Sequence, residues 1–120
     1  MNFERIQEIC TARAGVSEEF PFDEHTLVWK VNGKMFCLMD IRECASLGLK
    51  GDPDKIVEWR EQHEQIGTGP YLNSKHWMLV HLEGLNPTFV QSLIEHSYDC
   101  VVRKLPKAQR LELEKLNQIP

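Results

Sequence analysis

Nothing in this sequence stays apolar for the roughly 18 residues a membrane-spanning helix needs. Its longest such runs resemble Met35 to Met39, and Met1-Asn2-Phe3-Glu4 opens no signal peptide. A cytoplasmic location without membrane contact is therefore expected. There is no C-x-x-C pair: Cys10, Cys37, Cys44 and Cys100 lie too far apart for a zinc cluster or a disulfide framework. They read as small buried hydrophobes, with Cys44, beside Arg42, the one placed to be reactive. G-x-S-x-G, H-E-x-x-H and P-loop motifs are missing, and the Gly67-x-Gly69 pair lacks the third glycine of a dinucleotide loop. These absences point away from catalysis and from any cofactor.

Also absent is an excess of positive charge. The chain carries 14 Lys and Arg against 18 Asp and Glu, a net charge of −4, which argues against tight nucleic-acid binding. The distribution is uneven, however. Residues 1–72 balance at −5 and residues 73–120 at +1, so the C-terminal third is the positive end.

What is present fits one domain over residues 1–120. The chain is 42% hydrophobic and 27% charged, close to the globular average. Asn2 caps a first helix, Phe3 to Ala14, with Ile6, Ile9 and Cys10 on one face and Gly15 as its stop. Val16 to Asp23 reads as a turn. His25 to Val31 alternates as a half-buried strand, with Leu27, Trp29 and Val31 inward and Thr26, Val28 and Lys30 outward. Asn32-Gly33 predicts a type I′ turn into a return strand, Met35 to Ile41. Ser46 to Lys50 is a third strand, and Asp52-Pro53 opens a helix to about Gln65. Tyr71-Leu72 and Trp77 to Leu82 follow as strands around an Asn73-Ser74-Lys75 turn. Asn86-Pro87 then starts a long amphipathic helix to Leu105. Beyond Pro106 a last helix, Lys107 to about Leu116, has a modest apolar face, so 106–120 reads as a helical extension.

The predicted order, α-β-β-β-α-β-β-α-α with a hairpin, implies an α+β domain: an antiparallel sheet backed by helices in two layers.

Several motifs in this order resemble the MmcQ/YjbR family: Phe20-Pro21-Phe22, Gly33-Lys34-Met35-Phe36, Leu49-Lys50 before Asp52-Pro53, Asn73 with Lys75-His76-Trp77, and Ser97-Tyr98 with Lys104-Leu105-Pro106-Lys107. The resemblance covers nearly the whole chain. It implies a fold similar to the bacterial frataxin (CyaY-like) domain and a "double wing" DNA-binding unit. Gly51 stands where the family often has cysteine, and Tyr71 to Ser74 replaces a stretch that commonly carries histidine and a second lysine.

Two constellations suit a nucleic acid. Tyr71, Asn73, Lys75 and His76, beside Trp77, combine a stacking ring, an amide, an ammonium and an imidazole; the competing reading makes Tyr71 and Trp77 sheet anchors. Arg103, Lys104, Lys107 and Arg110 are four cations without an acid between them, although Arg103 and Lys104 also suit a helix C-terminus. No histidine pair is spaced for a metal, since His76 and His81 would face opposite sides of a strand. Glu4, Glu8, Glu18 and Glu19 read as a solvated surface rather than an iron ridge. The expected function is weak, non-specific, non-catalytic DNA binding by a monomer. The alternative is a protein-interaction or small-ligand domain using the open sheet face near Thr26, Val28 and Lys30.

Overall fold

The computed structural model describes residues 1–118. Asn2 caps helix α1 (Phe3–Thr11), its side chain accepting the Arg5 amide at 2.9 Å. The helix stops three residues short of the expected Ala14. There the backbone is claimed by distant partners: the Ala14 carbonyl accepts the Tyr98 hydroxyl, and its amide donates to Asn117. Gly15 has the expected positive φ, +75°, but it lies beyond the helix end, where Ala12 is the right-handed C-cap, and it turns the chain into the next strand rather than stopping α1.

Val16 to Glu19, expected as part of a turn, is strand β1 (Val16–Glu19). Its residues are mostly exposed because it is an edge strand held by register rather than by burial. Strands β2 (Thr26–Val31) and β3 (Lys34–Asp40) form the predicted hairpin, with Asn32 and Gly33 at φ 48° and 81° and Val31 opposite Lys34. A bulge lies opposite Trp29 and Lys30, which pair with Cys37 and Met35. Phe36 is the extra residue, so Phe36 and Cys37 are both fully buried.

Strand β4 (Ser46–Lys50) has the expected bounds. Helix α2 (Pro53–Gln62), capped by Asp52, ends before Gln65, whose carbonyl instead accepts the His81 amide. The next strand is β5 (Ile66–Gly67), not Tyr71-Leu72. Tyr71 has φ +65° and a fully exposed ring, which rules out a strand there. Strand β6 (Trp77–His81) completes a six-stranded sheet in the order β1-β2-β3-β4-β6-β5, antiparallel at every pairing.

Helix α3 (Pro87–Val102) is capped by Asn86 and ends before Leu105, since a residue preceding proline disfavours helical geometry. Helix α4 (Lys107–Asn117) follows, with only Leu113 buried; Leu111 and Leu116 are exposed.

The main core lies between the sheet and α1 and α3, around Ile6, Trp29, Leu49, Met78, Leu93 and Ile94. Phe36 meets Tyr98 edge to face at 5.6 Å. Ser97, the one buried polar side chain among the described residues, sits between layers. Its hydroxyl donates to the Phe36 carbonyl and accepts the Lys50 amide at 2.9 Å. This is the two-layer α+β architecture expected, with one strand more.

The reverse face of the sheet is less open than its alternation suggested. Val28 is fully buried, outside the main core, and Lys30 is paired with Glu19 at 3.3 Å. Segment 69–72 folds back over this face, bringing Leu72 against Leu38 above Gly48, where an added Cβ would lie 3.2 Å from Leu72. Of the face expected near Thr26, Val28 and Lys30, Thr26 lines a groove together with Leu38 and Leu72, whereas Val28 and Lys30 are not among its lining residues.

Candidate nucleic-acid interface

Helices α3 and α4 meet at a turn that carries the C-terminal cations. Arg103, Lys104 and Lys107 are exposed and Arg110 is half-buried. Arg103 reaches back along α3, its guanidinium 3.4 Å from both the Asp99 carbonyl and the Cys100 sulfur. Arg103 and Arg110 line one groove of about 530 Å³ with Arg13 and His96. Arg13 is held over the Tyr98 ring at 4.4 Å and against Asp99 at 3.2 Å. Asp99 and Glu114 also border the groove, leaving three guanidinium groups against two carboxylates. Helix α4 begins with no side-chain cap and no acid in its first turn, so its free amides add to the positive potential.

The other constellation divides. Asn73 is structural: its side-chain oxygen accepts the Lys75 amide at 2.9 Å, and its carbonyl accepts the His76 and Trp77 amides. Tyr71 borders the groove on the reverse face and is absent from the residues lining the arginine groove. Lys75 is exposed and His76 half-buried. They connect to α3 through residues 50–52: Gly51 donates to the His76 carbonyl at 2.9 Å and Asp52 to His96 Nε2 at 3.1 Å. Lys50 lies 6.0 Å from the Trp77 ring centroid, which anchors that ring beside the strand.

Sequence reasoning missed Arg13, His96 and Cys100. The spacing 96, 100, 103 does place His96, Cys100 and Arg103 on one helical face, a signal available from the sequence. Cys100 Sγ and His96 Nε2 are 3.3 Å apart, which resembles a nucleophile and its base. The hydrogen bond from Asp52 argues otherwise. With Nε2 accepting that amide, the ring proton is assigned to Nδ1, and taking up the thiol proton would set one N–H against another. Burial, and then Arg103, also lower the His96 pKa and favour the neutral ring. The Cys44 thiol donates to the Ile41 carbonyl at 3.3 Å, and Arg42, the cation expected to activate it, is engaged by Asp40 at 2.7 Å. Among the described residues, no three His, Cys, Asp or Glu side chains gather as a metal-ligating group, and no helix is long and apolar enough to cross a membrane.

An open six-stranded antiparallel sheet, backed on one face by helices and carrying a basic groove at one helical corner, defines an α+β module of the type the sequence motifs suggested. The model of the YjbR family matches residues 11–100, and the chain belongs to that family. It is 26% identical over 118 residues to the uncharacterized protein YjbR of Escherichia coli K12, covering 97% of this chain and all of that one. The crystal structure of the Deinococcus radiodurans protein DR2400, a DUF419 domain, superposes with a TM-score of 0.87 at 36% identity, over 94% of this chain and 88% of that one. A protein from Pseudomonas syringae shares the fold, with a TM-score of 0.67 at 23% identity, over 83% of this chain and 98% of that one.

Proposed function

We propose that this protein is a weak, salt-sensitive nucleic-acid-binding module that grips the phosphate backbone and performs no chemistry. The observation that carries this reading is the meeting of Arg103 and Arg110, from different helices, in one groove with Arg13. Guanidinium groups match phosphate oxygens bidentately, and the start of α4, one turn before Arg110, has no side-chain cap and adds positive potential. Lys104 and Lys107 extend the positive surface, and Lys75 and His76 are the further phosphate contacts of this reading, tied to α3 through Gly51 and Asp52. With so few contacts and a net charge of −4, affinity for duplex DNA falls in the non-specific range of roughly 10⁻⁴ to 10⁻⁶ M at physiological salt. Titration of fluorescent duplex and single-stranded oligonucleotides at low salt tests the reading. Saturable binding that weakens as salt rises is expected, and no binding at high micromolar protein refutes it.

A further inference from the structure

The groove on the reverse face of the sheet has a different chemistry. Leu38, Leu72, Leu79 and Met35 line it, Gly48 and Gly69 keep it open, and its volume is about 620 Å³. That lies within the roughly 300–1,000 Å³ typical of small-molecule sites, which are mostly apolar with a few polar groups. Two aromatic rings stand at its margin, Phe22 (65% exposed) and Tyr71 (104%), on separate loops. Neither ring has a place in the core, and Tyr71 keeps its position with a positive φ that an aromatic residue seldom adopts.

Charge selects the ligand. The residues lining the groove include three carboxylates, Asp23, Asp40 and Glu43, and no lysine, arginine or histidine. Asp23 is fixed by accepting the Thr26 amide at 2.7 Å and Asp40 by Arg42 at 2.7 Å, with the His25 ring 3.4 Å from Asp23 and 3.8 Å from Asp40 behind them, so Glu43 is the carboxylate with no such neighbour among the ion pairs of the described residues. Both carboxyls are held below their ordinary pKa: in Asp23 the hydrogen bonds to Thr26 and His25 outweigh the opposing effect of desolvation, and in Asp40 those from Arg42 dominate. Glu43 is exposed at the rim. We propose that this groove binds a small amphiphilic cation, an apolar body seated on Leu38, Leu72 and Leu79 with its ammonium toward the carboxylates and the two aromatic rings. An ammonium near a ring face gains cation–π attraction in addition to its attraction to the acids. A phosphate would be repelled here, so this site is independent of the arginine groove.

The test uses 4-phenylbutylammonium as the probe, with 4-phenylbutyrate and 4-phenylbutanol as matched bodies of opposite and zero charge. Amide shifts of the isotopically labelled full chain are followed by NMR. The cation is expected to shift the amides of Leu38, Gly48, Leu72 and Leu79 saturably, with a Kd of about 1 mM for a ligand of that size. The carboxylate is expected to bind about tenfold more weakly or not at all, with the alcohol between. Tyr71→Asn, which retains the positive φ, and Glu43→Gln are each expected to weaken the cation roughly three- to tenfold. Both positions are exposed, so the melting temperature serves as the control for folding. Equal binding of cation and carboxylate, or unsaturable shifts scattered over the surface, overturns the proposal. Concentration-dependent shifts at the same amides without ligand assign the groove to a second copy of the chain and overturn it equally. Because the readout is local to the sheet face, neither result bears on oligonucleotide binding at the other corner.

Discussion

The hydroxyl of Tyr98 donates a 2.7 Å hydrogen bond to the carbonyl of Ala14, 84 residues away in sequence. Asn117 completes the contact from α4, giving its amide nitrogen to the same hydroxyl at 3.0 Å and accepting the Ala14 amide at 2.8 Å. Helices α3 and α4 and the turn that follows α1 are thereby tied at one point, and this point borders the arginine groove. The position of Arg110 relative to Arg103 therefore depends on a contact that includes neither.

Tyr98→Phe leaves the Ala14 carbonyl and the Asn117 amide short of a partner at a nearly buried site. A loss of about 1–3 kcal/mol is expected. Urea titration should show a lower midpoint with an unchanged slope, and an unchanged midpoint would remove the contact from the account of stability.

Gly15→Ala should be at least as damaging. The added methyl would stand 2.7 Å from Leu113 and 2.8 Å from the Asn32 side chain, on a backbone with φ +75°. Strain of this kind is worth roughly 1–3 kcal/mol, and α4 would be displaced first. The thermal midpoint and the salt sensitivity of oligonucleotide binding should fall together; if only the midpoint falls, α4 has no part in binding.

The pH dependence has a definite sign at Asp40. Hydrogen bonds from the Arg42 side chain and amide hold this carboxyl at about 2, below its ordinary 3.8. A depressed acid stabilises the fold above its unfolded value and loses that contribution as pH falls toward its folded value. The stability gap between the wild type and Asp40→Asn should therefore be constant near neutrality and close between about pH 4 and 2. Denaturant melts at several pH values measure it. A gap that does not narrow between about pH 4 and 2 would contradict the ion pair with Arg42.

For the phosphate contacts, replacing Lys107 and Arg110 together by alanine should weaken oligonucleotide binding. It should also flatten the slope of log K against log salt by up to about 2. Lys55→Ala is the control, since Lys55 lies on acidic α2, 3.7 Å from Glu58. Equal effects from both variants would indicate general charge rather than a site.

The sequence revealed most where structure is dictated locally. Asn32-Gly33 specifies its turn, with the return strand starting one residue before the expected Met35, and Asp52-Pro53 and Asn86-Pro87 each supply a cap and a pre-set φ, so both helix starts hold to the residue. Strand β1 and the two-residue β5 were not legible, because an edge strand is defined by its partner rather than by its own alternation. Tyr71 could be read as stacking platform or sheet anchor. Its positive φ, invisible in the residue type, takes it out of the sheet and leaves its exposed ring at the margin of the reverse-face groove. The four cations after α3 were legible as a cluster, yet the contribution of Arg13 was not, since it joins them only through tertiary packing against Tyr98.

Ser97 occupies a rung of the sheet from the helical layer, accepting the Lys50 amide while donating to the Phe36 carbonyl. An amide bonded to a neighbouring strand can exchange its hydrogen when that strand frays. The Lys50 amide cannot, because its acceptor leaves only when α3 lifts from the sheet. Its exchange rate with deuterated solvent is thus expected to read the undocking of α3, with β3, β4 and α3 opening as one cooperative unit. The neighbouring Gly51 amide, bonded to the His76 carbonyl, and the Asp52 amide, bonded to His96 Nε2, continue this tie, so slow exchange is expected along residues 50–52.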